Sequence, residues 1–138
     1  MYEEIIARAG EIIEQNTGMG TYCVLAMLDL DGSPTASTIT ASKADGIHWL
    51  TFCTGFGTRT ERIARCNRAS VCMNSPEYNI TLVGTMEVCT DPDVKREMWY
   101  DGLANHFSGP EDPGYCVLRF RTQRYSLLLD WEEARGTL

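Results

Sequence analysis

Residues 46–75, GIHWLTFCTGFGTRTERIARCNRASVCMNS, decide how this chain is read, because a strand, a glycine-broken loop, a basic helix and a second strand follow within 30 residues. Ile47, Trp49 and Phe52 suit a strand, and Thr54-Gly55-Phe56-Gly57 ends it with residues that free the backbone to turn. Thr58-Arg59-Thr60-Glu61 has the S/T-x-x-E spacing of a capping box, in which Thr58 and Glu61 satisfy donors at a helix start. Amides at such a terminus, together with the helix dipole, favour a bound anion, so the stretch reads as a phosphate cradle. Asn67-Arg68 then turns the chain into a further strand, Ala69 to Asn74.

The charge distribution narrows the ligand. Twelve Lys plus Arg face 19 Asp plus Glu, a net charge of -7, which argues against nucleic acid or any long polyanion as partner. Arg59, Arg62, Arg65 and Arg68 nevertheless put four of the 12 bases into ten residues. A local cationic spot on an acidic protein suits one small anion, although the same arginines also describe a solvated helix face, and the motif alone does not separate the two.

At 138 residues, with 43% apolar and 22% charged residues, the chain is expected to form one domain, 1–138, with a core of its own. No apolar run approaches the roughly 18 to 20 residues of a membrane span, and the Met1-Tyr2-Glu3-Glu4 start lacks a basic n-region. The expectation is a cytoplasmic protein without a membrane partner. The six cysteines include no C-x-x-C pair and read as buried free thiols; His48 and His106 are too far apart in sequence to suggest a metal site.

Working outward, Ile5, Ile6, Ala9, Ile12 and Ile13 recur at helical spacing between Tyr2 and Gln15. Tyr22 to Leu28 and Pro34 to Ala41 read as a hairpin around Asp29-Leu30-Asp31-Gly32; the terminal Glu of a calcium loop is missing. Ser42 to Gly46 reads as a connection. Asn79 to Thr90 alternates, with Ile80, Leu82, Met86 and Val88 on one face, and Gly84 inside it predicts a bulge or a close backbone approach. Asp91-Pro92 opens a second substantial helix with Trp99, Leu103 and Phe107 at four-residue spacing, a core stripe. Tyr115 to Arg121 and Arg124 to Trp131 close the chain as a strand pair. Short turns favour antiparallel pairing, and the absence of G-x-G-x-x-G argues against a parallel dinucleotide-binding sheet. The expected fold is mainly β with flanking α: a barrel of about seven strands with about three helices outside it.

The order of motifs resembles the pyridoxamine 5'-phosphate oxidase-like split barrels, with the general stress protein 26-like group as the nearest branch. The resemblance is carried by Ser33 to Thr40, Trp49 to Thr54, Thr58-Arg59 with Ile63, Asn67 to Val71, Asn79 to Gly84, Trp99-Tyr100, Gly109 to Pro113 and Tyr125 to Trp131. It implies a homodimer of split barrels, each with six to seven mostly antiparallel strands, and FMN at the subunit interface. Position by position it implies that Ser37, Thr38, Ile39 and Thr40 line the flavin ring edge, largely through backbone groups, with Phe52, Cys53 and Thr54 on the neighbouring strand. Thr58 and Arg59 hold the phosphate, Asn79 reaches flavin from the interface, and Trp131 is the C-terminal aromatic near the ring.

This chain also departs from the oxidases that give the family its name. They carry bases where it has Ser37, Ser42 and Thr60, and their C-terminal basic and histidine pattern is absent, so oxidation of pyridoxamine phosphate is not expected. The function implied is an FMN-dependent oxidoreductase acting on a small acceptor, with NAD(P)H as a candidate electron donor and no assigned catalytic acid or base. The alternatives are a non-enzymatic protein that stores or senses flavin, and a split barrel that holds haem or a deazaflavin.

Overall fold

The computed structural model describes residues 2–138. Its framework is one antiparallel sheet that curls into a half-barrel. The strands are β1 (Cys23–Leu28), β2 (Pro34–Ile39), β3 (Ala41–Asp45), β4 (Trp49–Gly55), β5 (Arg68–Ser75), β6 (Tyr78–Cys89), β7 (Tyr115–Leu129) and β8 (Glu132–Thr137). Helix α1 (Glu3–Gln15) precedes them, and α2 (Thr58–Arg65) and α3 (Pro92–Met98) lie between β4 and β5 and between β6 and β7. Seven strands run in the order β2-β1-β5-β6-β7-β4-β3. The long β7 pairs with β4 along its first half and with β8 along its second, while β6 lies beside it on the other edge.

Period-two alternation explains the core. Leu25, Val71, Ile80, Leu82, Leu50, Phe52, Leu118 and Phe120 point inward and are almost fully buried. Helix α1 lies against β3, β7 and β8 and buries Ala9 and Ile13, with Gly10 so close to Gly46 that a Cβ would stand 2.9 Å from the Gly46 Cα. A second, smaller core sits on the outer face of β4 and β7. There α3 and a short 3-10 turn (Asp101–Asn105) cover Tyr115 and Val117 with Met98 and Leu103.

The mainly β, mostly antiparallel fold with three helices matches the expectation, and several boundaries do not. Ser42 to Asp45 belongs to a strand, β3, which pairs with β4. Thr122-Gln123 is no turn: β7 runs straight through it, and β8 is an additional strand. The expected second helix stops at Met98, because Trp99 and Tyr100 adopt extended backbone, and resumes only as the 3-10 turn. Gly84 behaves as expected: the β6–β7 register shifts between Val83 and Gly84, and a Cβ at Gly84 would lie 1.9 Å from the Arg121 carbonyl oxygen. The expected helix start at Asp91-Pro92 also holds, and Asp91 caps it, its Oδ1 accepting from the Asp93 and Val94 amides.

Candidate functional site

The split of the barrel lies between β2 and the end of β4, Cys53 to Gly55, that runs beyond its pairing with β3. β2 is one end strand of the sheet and β3 the other, yet the two are consecutive in the chain, so Thr40 forms a corner beside an open seam. That corner is fixed by Thr40 Oγ1 donating to the Thr21 carbonyl at 2.8 Å and by the Gly18 amide donating to the Ala41 carbonyl at 2.8 Å. The seam opens into a cavity of about 400 Å³. Ile39 and Thr40 line it from one side, Cys53, Thr54 and Gly55 from β4, and Tyr100, Leu103, His106 and Phe107 from the segment after α3. β2, as an end strand, also leaves the backbone groups of its outer edge without a strand partner.

Two of the cavity's ionisable groups, Cys53 and Tyr100, are held neutral. Cys53 Sγ lies 3.3 Å from the Met98 carbonyl oxygen and 3.4 Å from the Tyr115 hydroxyl, which itself donates to the Lys95 carbonyl at 2.8 Å. Burial pushes the Cys53 thiol up from its ordinary value, and burial does the same to the Tyr100 phenol. Neither is poised as an acid or base near neutral pH.

At the end of β4, α2 starts immediately after Gly57. The expected Thr58–Glu61 capping box does not form. Thr58 is already in the helix, and it is Thr60 whose hydroxyl accepts from the Gly57 amide (3.0 Å) while donating to the Gly57 carbonyl (2.8 Å). The helix presents two arginines to β2: Arg59 Nη2 donates to Ser37 Oγ at 3.3 Å and Arg62 Nη1 donates to Thr35 Oγ1 at 2.9 Å. Neither guanidinium has a carboxylate partner among the described residues. Arg62 Nε is shielded from solvent without any hydrogen-bond partner, and Arg59 is half-buried. Burial, and then the charge of Arg62, lowers the Arg59 pKa, though an arginine remains charged at any physiological pH.

The residues expected to form the site therefore fall in five places. Ile39, Thr40, Cys53 and Thr54 line the seam cavity, and Ser37, Thr58 and Arg59 lie at the neighbouring cradle. Thr38 points to the opposite face of β2 from Ser37 and Ile39, as strand alternation requires, so only backbone groups can present all of residues 37–40 to one ligand. Phe52 does not line the seam: its side chain has no exposed surface and belongs to the inner core, one position out of phase with Cys53. Asn79 and Trp131 stand in a different cleft, about 250 Å³, with Ser75, Pro76, Tyr78 and Asp130. Trp131 is 88% exposed at the β7–β8 turn, where it and Asp130 both take positive φ, 68° and 49°. Sequence reasoning missed Tyr100, His106 and Phe107 as cavity walls and Arg62 as a buried donor. The Trp99–Leu103–Phe107 spacing was visible, but the break that turns it toward the seam was not.

Comparison with known proteins decides the family. Residues 13–129 match the family model for pyridoxamine 5'-phosphate oxidase. The chain belongs to this family. A comparison with curated proteins found no match. Among solved structures, a protein from Clostridium acetobutylicum related to general stress protein 26 superposes with a TM-score of 0.85 at 20% identity, covering 100% of this chain and 97% of that one. A pyridoxamine 5'-phosphate oxidase-related, FMN-binding protein from Nostoc punctiforme gives 0.71 at 14% identity over 99% and 96%. A haem-binding protein from Mycobacterium smegmatis gives 0.69 at 22% identity, over 95% of this chain and 56% of that one. At these identities the likeness is one of fold, and proteins that share this fold are described by different cofactors.

Proposed function

We propose that this member of the pyridoxamine 5'-phosphate oxidase family is an FMN-dependent oxidoreductase that works as a homodimer. The observation that carries the reading is the pairing of a seam cavity of mixed lining, Ile39, Leu103 and Phe107 beside Thr40, Thr54 and Tyr100, with a neighbouring guanidinium, Arg59, that is anchored on Ser37 and has no acid partner among the described residues. A flavin mononucleotide has the matching parts: a flat ring with polar edges for the cavity and the open edge of β2, and a phosphate for the arginine fork and the α2 amides. Bound there, the flavin would supply the hydride and electron chemistry. The protein's own groups bind and orient. Ile39, Leu103 and Phe107 exclude water from the ring site, and β2 backbone groups meet the polar ring edge. Neutral Cys53 and Tyr100 add hydrogen bonds without taking part in proton transfer.

Haem would set its propionates against the cradle and could draw an axial ligand from His106 in the cavity wall, but a guanidinium fork beside helix amides matches a phosphate monoester more closely than a carboxylate, which favours FMN. Pyridoxamine phosphate is a poor substrate candidate. Ser42 Oγ is occupied by Thr51, 2.7 Å from its hydroxyl, and the Thr60 hydroxyl by Gly57, so two positions where the oxidases carry bases are tied into the scaffold here.

The dimer follows from what one chain leaves incomplete. Asn79 and Trp131 lie in a cleft separate from the seam, and a second copy could bring them to it. The outer face of the sheet supports this reading: Val24, Cys72 and Thr81 form one row across β1, β5 and β6, and Ala26, Ser70 and Val83 the next, small uncharged residues bordered by Arg124 on β7.

The first test is the absorption spectrum of the purified protein, with chromatographic identification of whatever chromophore denaturation releases. FMN is expected, bleached rapidly by NAD(P)H and turning over once an acceptor is added; tight FMN binding without turnover would make the protein a flavin store or sensor instead. A colourless protein that takes up no added FMN would refute the reading. Arg59→Ala should weaken FMN far more than riboflavin, which lacks the phosphate. Sedimentation should give a dimer, and a stable monomer with flavin fully bound would remove the second copy from the site.

A further inference from the structure

We infer that Arg62 is a second phosphate-holding residue, and that with Arg59 it makes the cradle selective for a phosphate monoester dianion; the inference rests on the flavin reading above and gives its anionic subsite a second cation.

Three observations converge on Arg62. The first is its orphan donor: Nε is sealed from water and has no acceptor, although the buried donor of a charged group costs free energy until one arrives. The second is what holds the side chain in place. Thr35 and Ser37 are two residues apart on one face of β2, opposite Met27 and Leu25, and each accepts from one arginine. Two guanidiniums one helical turn apart are thereby held side by side, and helical side chains lean toward the N-terminus, which carries Arg62 toward the start of α2. The third is that neither guanidinium forms an ion pair among the described residues, in a chain with 19 acids. Arg62 lines a cleft with Arg65 and the β1–β2 turn, and the two carboxylates of that cleft are engaged in the turn itself: Asp29 Oδ1 accepts from the Leu30 amide and Asp31 Oδ1 from the Ser33 amide. Like charges fixed together beside engaged acids are relieved by a bound dianion better than by a carboxylate, and a guanidinium fork matches phosphate oxygens geometrically.

The test measures binding rather than turnover: FMN and riboflavin by flavin fluorescence quenching, and inorganic phosphate as a competitor of FMN, for the wild type, Arg62→Gln and Thr35→Val, with circular dichroism to confirm folding. Arg62→Gln should weaken FMN by about 10- to 100-fold, the scale of one or two charge-assisted hydrogen bonds, leave riboflavin unchanged, and abolish competition by phosphate. Thr35→Val removes the anchor but not the charge, and should give a smaller, FMN-selective loss. Equal losses for FMN and riboflavin, or none in either variant, would overturn the assignment of Arg62 while leaving the flavin reading in place. A wild type that binds neither flavin nor phosphate would overturn both.

Discussion

The two faces of β4 sit one residue apart and do different work. Leu50 and Phe52 face the barrel interior, have no exposed surface, and pack among apolar neighbours only. Thr51 and Cys53 face outward, toward the smaller core, where polar contacts are added to the apolar ones: Thr51 Oγ1 lies 3.3 Å from Met98 Sδ, and Cys53 meets the Met98 carbonyl and the Tyr115 hydroxyl. The inner face is a stability device that resists change in volume. The outer face is a support for the seam cavity, and its hydrogen bonds fix where Tyr100, Leu103 and Phe107 stand.

The sharpest way to break the comparison is Phe52→Ala. An inner aromatic lost from a close-packed core costs about 3–5 kcal/mol, so the urea midpoint should collapse or the protein should fail to accumulate. A cost below about 1 kcal/mol would mean that the inner face is not the stability device described here.

The outer layer should respond more mildly and more specifically. Tyr115 is fully buried, and its hydroxyl satisfies the Lys95 carbonyl near the end of α3, where no helical donor is available. Tyr115→Phe strands that carbonyl and should cost about 1–3 kcal/mol, with a parallel loss of flavin affinity as the segment after α3 loosens. Unchanged affinity at the same stability loss would separate that segment from the cavity.

The thiols give a pH signature of the interior. Burial holds Cys23 and Cys116 up at about 11, against an ordinary value near 9. A raised pKa in the folded state means that the unfolded chain releases its protons first, so stability is flat below about pH 9 and falls as pH rises toward 11. Denaturant midpoints between pH 7 and 11 should show this decline, and Cys23→Ala should flatten part of it. A midpoint that rises over that range would contradict the burial of both groups.

Much of the fold was legible because it is written in local chemistry. The Asp29–Gly32 hairpin, the bulge at Gly84 and the helix start at Asp91-Pro92 each depend on one or two residues whose backbone or side chain permits little else. What escaped depends on tertiary context. β3 is a polar end strand whose Ser42 and Lys43 look like a loop until β4 pairs with them. Thr122-Gln123 resembles a turn, but β7 passes through it opposite the Gly84 bulge. At the site, the cradle and β2 were visible as motifs, whereas the cavity wall from Tyr100 to Phe107 exists only because the chain leaves helical geometry at Trp99. Arg62 was seen as one of four arginines, and only its buried, unpartnered Nε sets it apart.

Trp131 is the counterpart of Phe52: a large aromatic that is exposed rather than buried, and held in a backbone conformation that disfavours it. Two consecutive non-glycine residues at positive φ make a tight hairpin turn of the kind that usually carries Asn-Gly, and a left-handed conformation costs roughly 1–2 kcal/mol for a residue with a Cβ. Glycine would remove that cost but add chain entropy to the unfolded state, about 0.5–1 kcal/mol. Trp131→Gly should therefore stabilise the isolated fold by a few tenths of a kcal/mol to about 1 kcal/mol, or raise Tm by at most a few degrees. If the tryptophan is kept because it covers flavin across a subunit contact, the same variant should bind FMN less tightly or dimerise less firmly. Opposite signs in the two measurements would mark strain retained for binding, whereas a simple loss of stability with unchanged FMN affinity would make Trp131 a structural lid on its own hairpin.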